Sequence, residues 1–219
     1  MHWNLSKLVA PAVLCSTFML FFSPAAPAQI PSRYAVFAGY SSRADVTFTP
    51  ISSLPISVPN VVRLNGWNAS FERRLIAFVG VMVDGSGHYG SYGAAAGCEA
   101  ILICVPLAGT VHSSMHSLMA GPQLSFSVWR LTPFVHALFG ISHINHGVSI
   151  LPLAGLATSS TSFADAFGGG IDIRIASIVN ARFQADFMQT RFFPAPPPIS
   201  FIIGSQTGFR GSTGVVLRF

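Results

Sequence analysis

The stretch FRGSTGVVLRF, Phe209 to Phe219, decides the fold. In an extended chain Phe209, Gly211, Thr213, Val215, Leu217 and Phe219 share one face, and Arg210, Ser212, Gly214, Val216 and Arg218 share the other. Chain ends usually fray and carry polar residues; this one alternates to its last residue and stops on an aromatic ring. The period is two, so the segment is a strand with one apolar face.

The same alternation recurs backwards through the chain. Phe183, Ala185 and Phe187 oppose Arg182, Gln184, Asp186 and Met188. Phe167, Ile171, Ile173 and Ile175 oppose Gly168, Gly170, Asp172 and Arg174. Val135, Ala137, Phe139 and Ile141 oppose His136, Leu138, Gly140 and Ser142; Leu118, Ala120, Leu124, Phe126 and Val128 oppose Ser117, Gly121, Gln123, Ser125 and Ser127. Trp67, Ala69 and Phe71 oppose Asn68 and Ser70, weaker alternation covers Leu75 to Ser86, and Tyr34 to Ser41 completes a set of eight in either phase. Short connections are expected around Glu72–Arg74, Arg130–Thr132 and Ser177–Asn180. Long ones are expected through Ser42–Val62, Tyr89–Met115, Ile144–Thr161 and Phe192–Thr207. Short and long connections alternating round an even number of antiparallel strands describe an all-β, eight-stranded, up-and-down transmembrane barrel.

Composition points the same way. Only 9% of the 219 residues are charged, against about 25% in soluble domains. Lys7 is the sole lysine, and the chain from Gln29 onward carries 11 Arg and 7 acids. That is too little charge to coat a water-facing surface. The arginines stand singly apart from Arg73-Arg74, so no basic patch exists to neutralise phosphates, and nucleic acid is excluded as a partner.

Lys7, the apolar run Leu8–Phe22 and Ala26-Pro27-Ala28 read as a secretory signal over residues 1–28, with cleavage between Ala28 and Gln29. The barrel domain then occupies 29–219. The apolar run is shorter than the roughly 20 residues of a spanning helix; an uncleaved anchor is the competing reading. Export makes Cys98 and Cys104 a candidate loop disulfide, with two reduced thiols as the alternative.

A soluble eight-stranded barrel would turn its apolar face inward. The polar face decides between the two. It holds Gly, Ser, Asn and Gln with charges of both signs: Asp84, Asp172, Arg174, Arg182, Asp186, Arg210 and Arg218. Small residues with scattered Arg and Asp suit a crowded interior, where guanidinium groups bridge carboxylates. Charges of that kind do not suit a solvated surface, which would use Lys and Glu. The apolar face has no Arg where hydrocarbon would meet it, a placement costing about 2–4 kcal/mol at the bilayer midplane.

The exported leader, the eight alternating segments and the terminal STGVVLRF together resemble the small eight-stranded outer-membrane barrels of the OmpA/OmpX type. NGWNASFERRL and GGGIDIRI are similar to strand segments of that family. The resemblance implies a place in the bacterial outer membrane, contact with its lipid, and a terminal strand read by the barrel-assembly machinery through Val215, Leu217 and Phe219. The chain stops where OmpA continues into a peptidoglycan-binding domain, so no cell-wall tether is expected.

Neither a cofactor nor a metal is expected. His88, His112, His116, His143 and His146 gather toward the outer side without Cys or acid at metal spacing. For nucleophilic chemistry Ser142 and His143 are adjacent and so point to opposite faces of a strand. Ser114 and His116 share a face but lack a nearby acid. Asp165 interrupts the apolar face of its segment and is expected above the membrane. The expected role is non-enzymatic: envelope integrity, or surface interaction through the apolar outer loops CEAILICVPLAG and PAPPPISFIIG with an unspecified partner. A narrow porin-like channel and, behind it, a lipid-modifying enzyme are the alternatives.

Overall fold

Strand pairing closes on itself in the computed structural model, which describes residues 33–46, 56–57, 61–96, 107–149, 156–191 and 205–219. Eight long strands make the wall: β1 Tyr34–Val46, β2 Val61–Arg74, β3 Val79–Ala96, β4 Leu107–Ser125, β5 Leu131–Ser149, β6 Leu156–Arg174, β7 Val179–Arg191 and β8 Ser205–Arg218. Each pairs antiparallel with its neighbours in sequence, and β8 pairs with β1 to close the barrel. A two-residue strand, Ile56–Ser57, adds to β3 at Ala95 and Ala96.

The stagger can be read from the register. From Ala35 the row of facing residues passes through Glu72, Met82, Gly121, Leu138, Ala166, Met188 and Gly208. It returns to β1 at Asp45, ten residues beyond its start. Eight strands with that stagger tilt by roughly 40° and enclose an interior just wide enough for side chains to fill. With no open edge, the ladder satisfies the backbone polar groups that hydrocarbon cannot.

Exposure alternates as the sequence implies, and its sense is inverted relative to a soluble protein. Arg43, Arg182 and Arg210 are among the largest fully buried side chains, whereas Phe183, Phe209, Val135 and Ile141 are each more than half exposed. The phase of β1 is settled: Val36, Ala38 and Tyr40 face out, and Ala35, Phe37, Ser41 and Arg43 face in.

Several boundaries differ from expectation. The strands are longer at the loop end, so β1 continues to Val46, β3 to Ala96 and β5 to Ser149. Hydrogen-bonded pairing continues there although the apolar alternation that marks a membrane-facing strand has stopped. The short turns also shift. β2 runs through Glu72 to Arg74, and the turn is Leu75–Phe78, closed by Leu75 N–H donating to Val79 O at 2.9 Å. Ile175 N–H donates to Val179 O at 3.0 Å in the matching turn Ile175–Ile178. These turns are apolar, so they carry none of the polarity that announces a turn in water. The third is the tight Trp129-Arg130 turn, with Trp129 at φ 54° and the Arg130 guanidinium 5.6 Å from its ring centroid. Ala28, Gln29, Cys98 and Cys104 lie outside the described residues.

Candidate functional site

Two groups of side chains fill the lumen toward the turn end. Near the turns, Asp172 on β6 accepts from Arg182 Nε at 2.7 Å and from Arg218 at 2.6 Å. Arg182 also reaches Glu72 at 3.5 Å, and its guanidinium lies between the rings of Phe134 (4.4 Å) and Phe37 (5.3 Å). Ring faces hold a desolvated cation favourably. Arg74 donates to Ser125 Oγ at 3.2 Å and stands 4.0 Å from Glu72.

One layer up, Arg210 bridges two carboxylates from different walls. It donates to Asp84 Oδ1 at 2.6 Å and from Nε to Asp186 Oδ2 at 2.8 Å. Asp186 also contacts His136 Nε2 at 2.9 Å and accepts from Gln184 at 2.8 Å, and Asn68 donates to Asp84 at 2.7 Å. Gly168 and Gly170 make room for this layer. A Cβ at Gly168 would strike Asp186 Oδ1, and one at Gly170 would strike Phe183 O and the ring of Phe134. That is the structural use of the GGGIDIRI stretch.

Beside and above this layer, Met82, Met119, Leu138, Ala164, Ala166 and Met188 form an apolar cluster. Beside these groups Ser212 donates to Ser41, whose hydroxyl contacts His88 Nε2 at 2.9 Å, and Ser117 pairs with Ser142. Among the described residues the buried lumen charges include the acids Glu72, Asp84, Asp172 and Asp186 and the arginines Arg43, Arg182, Arg210 and Arg218, with Arg74 beside Glu72 at the turn end.

Of the charged residues expected inside, Asp84, Asp172, Arg182, Asp186, Arg210 and Arg218 meet in these two layers. Arg174 is half-buried at the turn end of β6. Sequence reasoning missed Glu72 and Arg74, which it placed in a turn, and Arg43, which it placed in a loop. The tilt of the barrel brings Asn68 of β2 onto Asp84 and His136 of β5 onto Asp186, and Gln184 reaches Asp186 from the same strand, β7.

The outer wall is an apolar band between two aromatic girdles. Tyr34, Phe71 and Phe219 form the lower one with centroids 6.0 and 6.1 Å apart, joined by the Phe78–Phe126 stack. Tyr40, Trp67, Phe139–Phe167 and Phe187–Phe209 form the upper one. On β5 the apolar run from Leu131 to Ile141 covers about 25 Å of height at that tilt, the thickness of a barrel's lipid-facing band. Aromatic girdles at both edges are the interfacial pattern of such barrels.

Above the band the wall turns polar, with Asn65 accepting from Tyr40 and Ser42 at 2.9 Å each. His112, His116 and His143 face out there, on strands and not in loops; His88 and His146 are buried. Asp165, expected clear of the membrane, is buried and falls by register on the outer-wall row of β6 between the exposed Phe163 and Phe167, opposite Phe139 and Gln189. Ser114 and His116 both face outward, while Ser142 faces in and His143 out. The acids Glu72, Asp84, Asp172 and Asp186 are all sequestered in the lumen, away from the outward Ser114 and His116.

A closed wall that is apolar outside and charged inside defines an integral membrane barrel, and its eight antiparallel strands give it the fold of the small bacterial outer-membrane barrels. The chain lies in the outer membrane. No protein-family model matches it, and no curated protein does. Among solved structures it is similar to neisserial surface protein A, NspA (14% identity, 87% of this chain and 100% of that one, TM-score 0.56). It is also similar to Ail, the attachment invasion locus protein of Yersinia pestis (13% identity, 87% and 100%, TM-score 0.52). At such identities the likeness is one of fold.

Proposed function

We propose that this chain is a non-conducting, non-enzymatic barrel that serves as a rigid membrane platform for the segments joining its strands at the loop end. The observation that supports this reading is the filled lumen. Arg210 ties β3, β7 and β8 together, Arg182 and Arg218 tie β6, β7 and β8, and Arg182 reaches Glu72 of β2. Side chains so fixed block an interior that is narrow to begin with. A platform of this kind serves envelope integrity or contact with an outside partner, and no cofactor enters into it. Its catalytic alternative needs a nucleophile, a base and an orienting acid within reach of one another; Ser114 and His116 face away from the lumen that holds Glu72, Asp84, Asp172 and Asp186, and the row of Asp165 meets β4 at Ala120, six residues from Ser114.

Single-channel recording of the refolded chain in planar bilayers tests the reading. A silent bilayer is expected; reproducible unit conductance steps would replace the platform by a narrow channel. Comparing lipid A by mass spectrometry with and without expression tests the enzymatic alternative, and unchanged lipid A is expected.

A further inference from the structure

Outward-facing histidines stand where the apolar band ends. His116 of β4 and His143 of β5 are register partners. Directly opposed residues of an antiparallel pair place their Cβ atoms about 4.5–5.5 Å apart. Both side chains point to the outer wall, directly above the exposed Leu118 and Ile141. The next row up is polar, Ser114 opposite Asn145.

The His143 ring is already fixed. Its Nδ1 lies 2.7 Å from Thr161 Oγ1 on β6. When that nitrogen donates to the hydroxyl, Nε2 presents its lone pair outward. A ring nitrogen held by a hydrogen-bonding neighbour while the other is free is the arrangement that orients imidazoles for coordination. His116 is steadied differently, by an edge contact with Tyr89 at 5.4 Å between centroids. Its partner on the β3 side is Gly87, over which the Trp67 indole and the Tyr89 hydroxyl pack.

We propose that His116 and His143 form a two-imidazole site for a borderline divalent cation, zinc or copper(II), on the outer wall at the membrane surface. Neutral imidazole suits these ions, whereas magnesium and calcium prefer oxygen. Among the described residues no third His, Cys, Asp or Glu joins the pair. The remaining coordination positions are open to water or to oxygen atoms of lipid headgroups. His112, four residues up β4, belongs to a different row and is not a ligand in this assignment.

The test uses the untagged full chain refolded in detergent, with the metal salt alone as probe. Equilibrium dialysis should find one saturable zinc per wild-type chain. His116→Gln and His143→Gln should each weaken binding at least about tenfold, as should Thr161→Val by freeing the ring. His112→Gln should stay within about twofold of wild type. Copper(II) paramagnetic resonance should show two imidazole nitrogens in the wild type and one in either single variant. All four positions face outward, so a heat-modifiability gel should show each variant folded. No saturable zinc in the wild type, or undiminished zinc in the His116→Gln/His143→Gln double variant, would overturn the assignment. Equal loss in His112→Gln would overturn the two-residue ligand set.

Discussion

Replacing Arg210 with Met tests the lumen most directly. The guanidinium is fully buried and joins Asp84 at 2.6 Å to Asp186 at 2.8 Å. Methionine keeps much of the volume and removes the charge, leaving two carboxylates without their shared cation. Breaking a buried pair by removing one partner costs about 3–5 kcal/mol. The two carboxylates do not suffer equally. Asp186 retains His136 and Gln184, whereas Asp84 keeps Asn68. Asp84→Asn in the Arg210→Met background should therefore restore about 1–3 kcal/mol, the cost of one unsatisfied buried group. Asp186→Asn should restore less, because it disturbs contacts that still hold. Urea unfolding of the refolded barrel, followed by tryptophan fluorescence, measures all four proteins. Loss below about 1 kcal/mol in Arg210→Met would refute the lumen network as a stabilising element. A larger rescue by Asp186→Asn would refute the division of labour between the carboxylates.

Other perturbations probe the wall, the packing and the seam. Gly170→Leu should abolish refolding to the heat-modifiable form, since its Cβ would meet Phe183 O and the Phe134 ring; an unaltered gel shift would contradict that packing. Ala137→Arg on the apolar band should destabilise by about 2–4 kcal/mol and Ser114→Arg above it by about 0–1 kcal/mol, so equal costs in lipid vesicles would refute the assigned band. Phe219 exchanges backbone hydrogen bonds with Tyr34 at 2.9 and 3.0 Å across the closing seam. Its deletion should impair insertion while leaving export intact, and normal membrane assembly of the truncated chain would remove its proposed assembly role.

Where the alternation was strong, the sequence alone placed residues correctly. From Phe209 to Phe219 every second residue is exposed, because a strand in a membrane wall has a solvent of different polarity on each side and records both in its composition. The same reasoning oriented Phe183 to Met188 and separated Ser142 from His143. It failed where that contrast vanishes. Above the band both faces accept polar residues, so β3 and β4 reach Ala96 and Leu107 unannounced. At the turn end Leu75–Phe78 is apolar, and Glu72 and Arg74 looked like the turn although they line the lumen.

Which charges meet was a matter for the tertiary structure. Arg210 and Asp84 are 126 residues apart, and no spacing rule links them. They meet because a stagger of ten residues around eight tilted strands brings one level of β8 across the lumen from one level of β3. The same register sets His116 beside His143 on the outer wall. Alternation determined which way each side chain points, since that depends only on local backbone geometry. Closure determined what it touches, since that depends on the angle at which the whole wall is wound.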